Sequence, residues 1–108
     1  MKTYKTGEVF SLAKQIQLEE GKAVKKLVID GEAMKLLLVG IDHGELPAHT
    51  APMNGLISVL EGEGTFFYLG NSFAIHQGDN FAFQKDQLHA IKTDSKIKFS
   101  VLLWKEGE

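Results

Sequence analysis

Apolar residues along this chain fall in short runs, most of them alternating with polar ones, and turn-forming residues separate the runs. Val24 to Ile29 reads as one strand and Met34 to Ile41 as a second, joined by Asp30-Gly31, a pair that suits a two-residue hairpin turn. Leu56 to Leu60 reads as a third. Thr65 to Leu69 and Phe73 to Ile75 read as a hairpin closed by Gly70-Asn71-Ser72, and Asn80 to Phe83 as a short aromatic strand. Leu88 to Lys92 leads through Thr93-Asp94-Ser95 into Lys96 to Trp104. There Ile97, Phe99, Val101 and Leu103 share one face, and Lys96, Lys98 and Ser100 the other. Leu102 and Trp104 fall on the polar side, which suits packing against a second sheet or a partner subunit. Ser11 to Glu20 lacks an apolar stripe at helical spacing and reads as a turn or one loose helical stretch. Closely spaced strands with turn residues between them predict an all-β sandwich or barrel.

Composition narrows the picture. A chain of 108 residues has room for one domain, with seven Phe and 44% hydrophobic residues to build its core. The net charge of −2, from 12 basic and 14 acidic residues, gives no concentrated positive charge for a phosphate backbone, so no nucleic acid is expected as partner. Cysteine is absent, which excludes disulfides, thiolate metal ligands and a cysteine nucleophile, and fits a cytoplasmic setting. Met1 to Lys14 holds no apolar stretch long enough for a signal peptide. Leu36 to Ile41 is too short to span a bilayer, so no membrane is expected as partner.

The four histidines carry most of the candidate chemistry. His49 precedes the Leu56 strand and His89 begins a late one, so only a fold that pairs early and late strands brings them together. His43 and His76 read as surface residues. His76 follows Ile75, so the two side chains point to opposite strand faces. Phe66, Phe67, Tyr68, Phe81 and Phe83 read first as core, with Phe81 and Phe83 sharing a strand face that could line an interior. Glu61-Gly62-Glu63-Gly64 is read as a tight turn. A phosphate loop there is excluded, because no helix and no Lys-Ser/Thr pair follow and two glutamates would repel phosphate. No nucleophile elbow is present.

Two segments resemble the two motifs of the cupin superfamily. Leu46 to Gly64, ending in Val59-Leu60-Glu61-Gly62-Glu63-Gly64, is similar to the first. Gly78 to Thr93 is similar to the second, with a short hairpin between them. The resemblance covers about three-quarters of the chain. It implies a double-stranded β-helix, the cupin or jelly-roll barrel, as a single domain over residues 1–108, with a motif-bearing core at about 34–104 and segment 1–33 as flanking strands. His49 stands at the first histidine position of motif one, Ala51 at the second, Gly55 at the glutamate position and Gly62 at the closing glycine. In motif two Gly78 and His89 match, while Gln84, Asp86 and Thr93 replace the usual proline, glycine and asparagine.

In the family three histidines and a glutamate hold a divalent transition metal, of which this chain keeps His49 and His89. The resemblance therefore implies a small-molecule pocket lined by His49, His89, Phe81 and Phe83. The alternative is a metal-dependent enzyme of dioxygenase, isomerase or decarboxylase type, with Zn, Ni, Fe, Mn or Cu on His49 and His89. A regulatory module acting on a partner protein is a third reading, although no helix-turn-helix accompanies the barrel. Small relatives of this kind pair, so a homodimer is expected, with Thr3 to Leu12 and the Leu102/Trp104 face as candidate surfaces.

Overall fold

The computed structural model describes residues 4–105. A single turn of 3₁₀-helix at Ala13–Gln15 is followed by six strands: β1 (Ala23–Asp30), β2 (Met34–His49), β3 (Asn54–Tyr68), β4 (Asn71–His76), β5 (Asn80–Phe83) and β6 (His89–Trp104). All pairings between named strands are antiparallel, in the order β1-β2-β6-β3-β4, with β5 also on β3. The last strand in sequence is thus the middle strand in space, flanked by β2 and β3 along most of its length.

These long strands cannot be straight. At roughly 3.3 Å per residue a strand the length of β6 would reach about 50 Å, whereas the longest dimension of the molecule is 40 Å. Breaks in register show where they bend: at Asp42/Gly44 in β2, and between Val59 and Glu61 and between Gly62 and Thr65 in β3. The bends lie side by side, since Gly44 pairs with Thr93 and Gly62 with Ile97. His43 and Gly62 take up the corner with positive φ, 51° and 81°. A Cβ on Gly62 would lie 2.0 Å from the Lys96 carbonyl oxygen, so only glycine allows that close approach. The sheet folds over this line onto itself and closes around an apolar interior.

Two expected turns, and the Asp42 to Gly44 bend beside them, are therefore corners within continuous strands. Asp42 to Gly44, Glu61 to Gly64 and Thr93 to Ser95 bend the chain without reversing it, because the flanking halves stay paired to neighbouring strands. The Asp30-Gly31 turn also differs from expectation. β1 ends at Asp30 and β2 begins at Met34, leaving a three-residue connection in which Gly31 N–H donates to Met34 O, and neither Asp30 nor Gly31 has positive φ. The β3–β4 turn is Leu69-Gly70, both with positive φ (51° and 84°), while Asn71 already pairs with Tyr68. Of segment 1–33, β1 is the one named strand among the described residues, not a set of flanking strands.

Two clusters hold the fold. The larger fills the interior with Val39, Ile41, Ile57, Val59, Phe66, Ile75, Phe83, Ile91, Ile97 and Phe99. The alternation in β6 places Ile97 and Phe99 there as the sequence predicts. The smaller lies outside the barrel, where Ile16 covers Val28 and Leu38. Two lysines on this outer face fasten the covering segment: Lys26 Nζ donates to Gln15 O and Lys98 Nζ to Ala13 O, each at 2.8 Å. Among the described residues no helix is long and apolar enough to cross a membrane.

Candidate functional site

Bending β6 brings its two ends to one cavity. Its first residues, His89 to Ile91, face its last, Val101 and Leu103, across a volume of about 200 Å³. Leu37, Val39, Ile57, Phe66, Phe83 and Phe99 supply most of the remaining wall, and Lys25, His49 and His89 are its titratable groups.

The pairing of β2 with β6 decides the position of the histidines. His49 and His89 are direct cross-strand partners, and their rings lie 4.4 Å apart, edge to face. Each Nδ1 is tied to the backbone carbonyl two residues earlier: His49 to Pro47 O at 2.8 Å, His89 to Gln87 O at 2.9 Å. A carbonyl only accepts, so each Nδ1 carries the proton and each neutral ring keeps a lone pair on Nε2. Both rings are held in one tautomer by the same local device.

His89 is buried, with 6% of its surface exposed. Its ring stacks on Phe83, centroids 4.1 Å apart. Burial pushes its pKa below the ordinary imidazole value; the bond to Gln87 O works against that shift and the neighbouring His49 adds to it. The loop that supplies Gln87 O is itself anchored. The Tyr68 hydroxyl donates to Gln87 Oε1 and accepts from Gln84 N–H, Asp86 N–H donates to Ala51 O at 2.7 Å, and Lys85 N–H to Asn54 Oδ1 at 3.0 Å. Tyr68 thus positions His89 through the loop, a role that its reading as one more core aromatic does not reveal. Asp86 takes φ 62°, the conformation for which the motif ordinarily uses glycine.

Of the expected pocket residues, His49, His89 and Phe83 line the cavity and Phe81 does not. Phe81 packs instead on Phe66, Tyr68 and Phe73 at 4.5, 5.4 and 5.0 Å between centroids. It shares a strand face with Phe83, but the strand carries it past the cavity to the aromatic layer over β4. Leu46, Phe66 and Lys25 line the cavity without having been singled out as pocket residues. Lys25 lies on β1, whose alternation turns Ala23 and Lys25 toward the interior. His43 and His76 are exposed, paired with Asp42 at 2.6 Å and Asp79 at 2.9 Å.

The donor set falls short of the metal site that the motif resemblance implies. Ala51 replaces one imidazole. Gly55 replaces the carboxylate, and that position has been filled from the other side: a Cβ on Gly55 would lie 2.1 Å from Phe83 Cζ. A phenyl ring occupies the space into which a glutamate would grow. Among the described residues no third His, Asp or Glu joins His49 and His89 in a cluster able to hold a metal. Two neutral imidazoles beside a phenyl ring do not fit a site for a resident divalent ion.

No family model matches the chain, and no curated protein matches it in sequence. Solved structures match it closely in shape. A conserved protein of unknown function from Streptococcus pyogenes superposes with a TM-score of 0.89 at 13% identity, over 99% of this chain and 95% of that one. A cupin superfamily protein from Desulfitobacterium hafniense gives 0.89 at 15%, over 97% of each chain. A cupin 2 conserved barrel domain protein from Leptotrichia buccalis gives 0.84 at 26%, over 89% of this chain and 47% of that one.

Proposed function

For a chain with the double-stranded β-helix fold of the cupins, we propose a role as a binder of one small, largely apolar ligand held inside the barrel. The observation that carries this reading is the pair of fixed imidazoles. Two Nε2 lone pairs, side by side in a cavity otherwise walled by hydrocarbon, accept hydrogen bonds from a hydroxyl or amine of the guest. The ring of Phe83 and the aliphatic wall take its carbon skeleton. The volume supports a guest of about one substituted aromatic ring, since a dry cavity of roughly 150 Å³ accepts benzene. Binding requires neither a metal nor a covalent step. The absence of cysteine supports a cytoplasmic setting.

Calorimetric titration with phenol and toluene tests this. Phenol is expected to bind more tightly than toluene. The double variant His49→Leu/His89→Leu should weaken phenol roughly tenfold, the worth of a hydrogen bond to a buried acceptor, while toluene binding persists. Absence of phenol binding, or the same phenol affinity in the variant, would overturn the proposal.

The competing reading is the metal-dependent enzyme on His49 and His89. Their spacing favours it, because two imidazoles at 4.4 Å with free Nε2 atoms resemble two neighbouring ligands of one ion. Gly55 and Phe83 weigh against it. Addition of Zn, Ni, Fe, Mn or Cu is expected to raise the Tm of the protein no more than that of the double leucine variant. A rise confined to the parent protein would restore the enzyme reading.

A further inference from the structure

One charged side chain lines a cavity otherwise walled by hydrocarbon and two imidazoles. Lys25 belongs to β1, opposite Val39, and is both exposed and part of the cavity lining, so it stands where the cavity meets solvent. Its neighbours in charge are occupied: Lys26 and Lys98 clamp the 3₁₀ turn through carbonyls, and Lys35 pairs with Asp30. Lys25 has no hydrogen-bond or ion-pair partner among the described residues. No Asp or Glu lines the cavity to neutralise it. At the mouth of a low-dielectric space an uncompensated ammonium favours an anion, and the nearby hydrocarbon strengthens that attraction over its value in open water. With each Nδ1 committed to a backbone carbonyl, the neutral imidazoles have no hydrogen left to donate to an anion. Charge and hydrogen-bond acceptance are thus divided between different groups of the wall.

We propose that Lys25 makes the cavity selective for a small apolar monocarboxylate, whose acid group it meets at the mouth while the carbon skeleton fills the barrel. This rests on the ligand-binding reading above and names the class of guest. A lysine turned inward on an edge strand also protects that edge from pairing with other chains, and the experiment separates the two roles.

Benzoate and benzamide differ in charge but little in shape, and either fits the volume. Their affinities are measured at pH 8 by calorimetry, with phenol as reference, for the parent protein, Lys25→Met and Lys25→Arg. Benzoate is expected to bind roughly tenfold more tightly than benzamide. Lys25→Met should remove that preference, and Lys25→Arg should retain most of it. If benzamide binds as well as benzoate, or if Lys25→Met keeps the preference and alters only solubility or Tm, the proposal is overturned while ligand binding stands. If phenol, benzoate and benzamide all fail to bind, both readings fall together.

Discussion

At the scale of single residues, the most consequential choice in the barrel is the exchange between positions 55 and 83. A glycine on β3 and a phenylalanine on β5 face each other across paired strands, with the ring filling the space that a side chain at 55 would need. The two positions should be strongly coupled. Gly55→Ala is expected to cost on the order of 1–3 kcal/mol by overpacking, and Phe83→Ala about 3–5 kcal/mol by leaving a void. The double variant should cost at least about 1 kcal/mol less than their sum, because each change relieves the other; urea denaturation of all four proteins gives the cycle. Additive costs would show that the ring does not hold that space.

His89 supplies a pH prediction on the same scale. Its folded pKa is depressed while the unfolded chain has the ordinary value near 6.5. The unfolded state therefore binds more protons in the window just below about 6.5. Stability should be fully present above that value and fall as acid is added, until the folded pKa is passed. The measurement is Tm against pH. Replacing His89 by Leu should flatten the acid limb, and an unchanged slope would assign it to other groups.

Among elements, the tight β3–β4 hairpin offers a clear test. Leu69 takes φ 51° in a two-residue turn and is 55% exposed, so its side chain gains little there while its Cβ opposes the left-handed backbone. Leu69→Asn is expected to stabilise the protein by about 0.5–1 kcal/mol in urea denaturation. A loss would mean that the leucine makes a contact worth more than the backbone preference.

This turn also shows how far the strands were legible. The alternation in Lys96 to Trp104 named the inward residues, because period two is a property of the strand itself. Turn residues were harder to interpret. Asn71 looks like part of a turn, yet it pairs with Tyr68 and leaves the turn to Leu69. Asp-His-Gly, Glu-Gly-Glu-Gly and Thr-Asp-Ser supply bending freedom, but whether a bend reverses the chain depends on which strand lies alongside. Local sequence does not carry that information. The histidine pair was legible through the motif resemblance alone. Lys25 was not, because one lysine in an alternating strand looks like any solvated residue until the strand is placed at the rim of a cavity. Phe81 was misplaced for a related reason: sharing a strand face with Phe83 does not fix how far along the barrel it sits.

For the molecule as a whole, we propose self-association through the outer face. Leu36, Leu102 and Leu56 lie side by side across β2, β6 and β3, with Met34 and Trp104 in the next row. Val9 and Phe10 are exposed in the chain's first segment, and Thr3 of the expected Thr3 to Leu12 surface lies outside the described residues. A half-exposed apolar row suits burial against a second copy. Light scattering at micromolar concentration is expected to give twice the chain mass, and Leu102→Glu to give the single mass; a monomeric parent protein would remove the proposal.

Placing the final strand at the centre of the sheet has a consequence for biosynthesis. β2 and β3 have no pairing with each other and depend on β6 to join them, so a ribosome-bound chain that has not yet released residues 89–104 holds two unconnected halves of a barrel. Productive closure must wait until residues 89–104 have left the ribosome, and the nascent chain meanwhile exposes open strand edges to chaperones and to its neighbours.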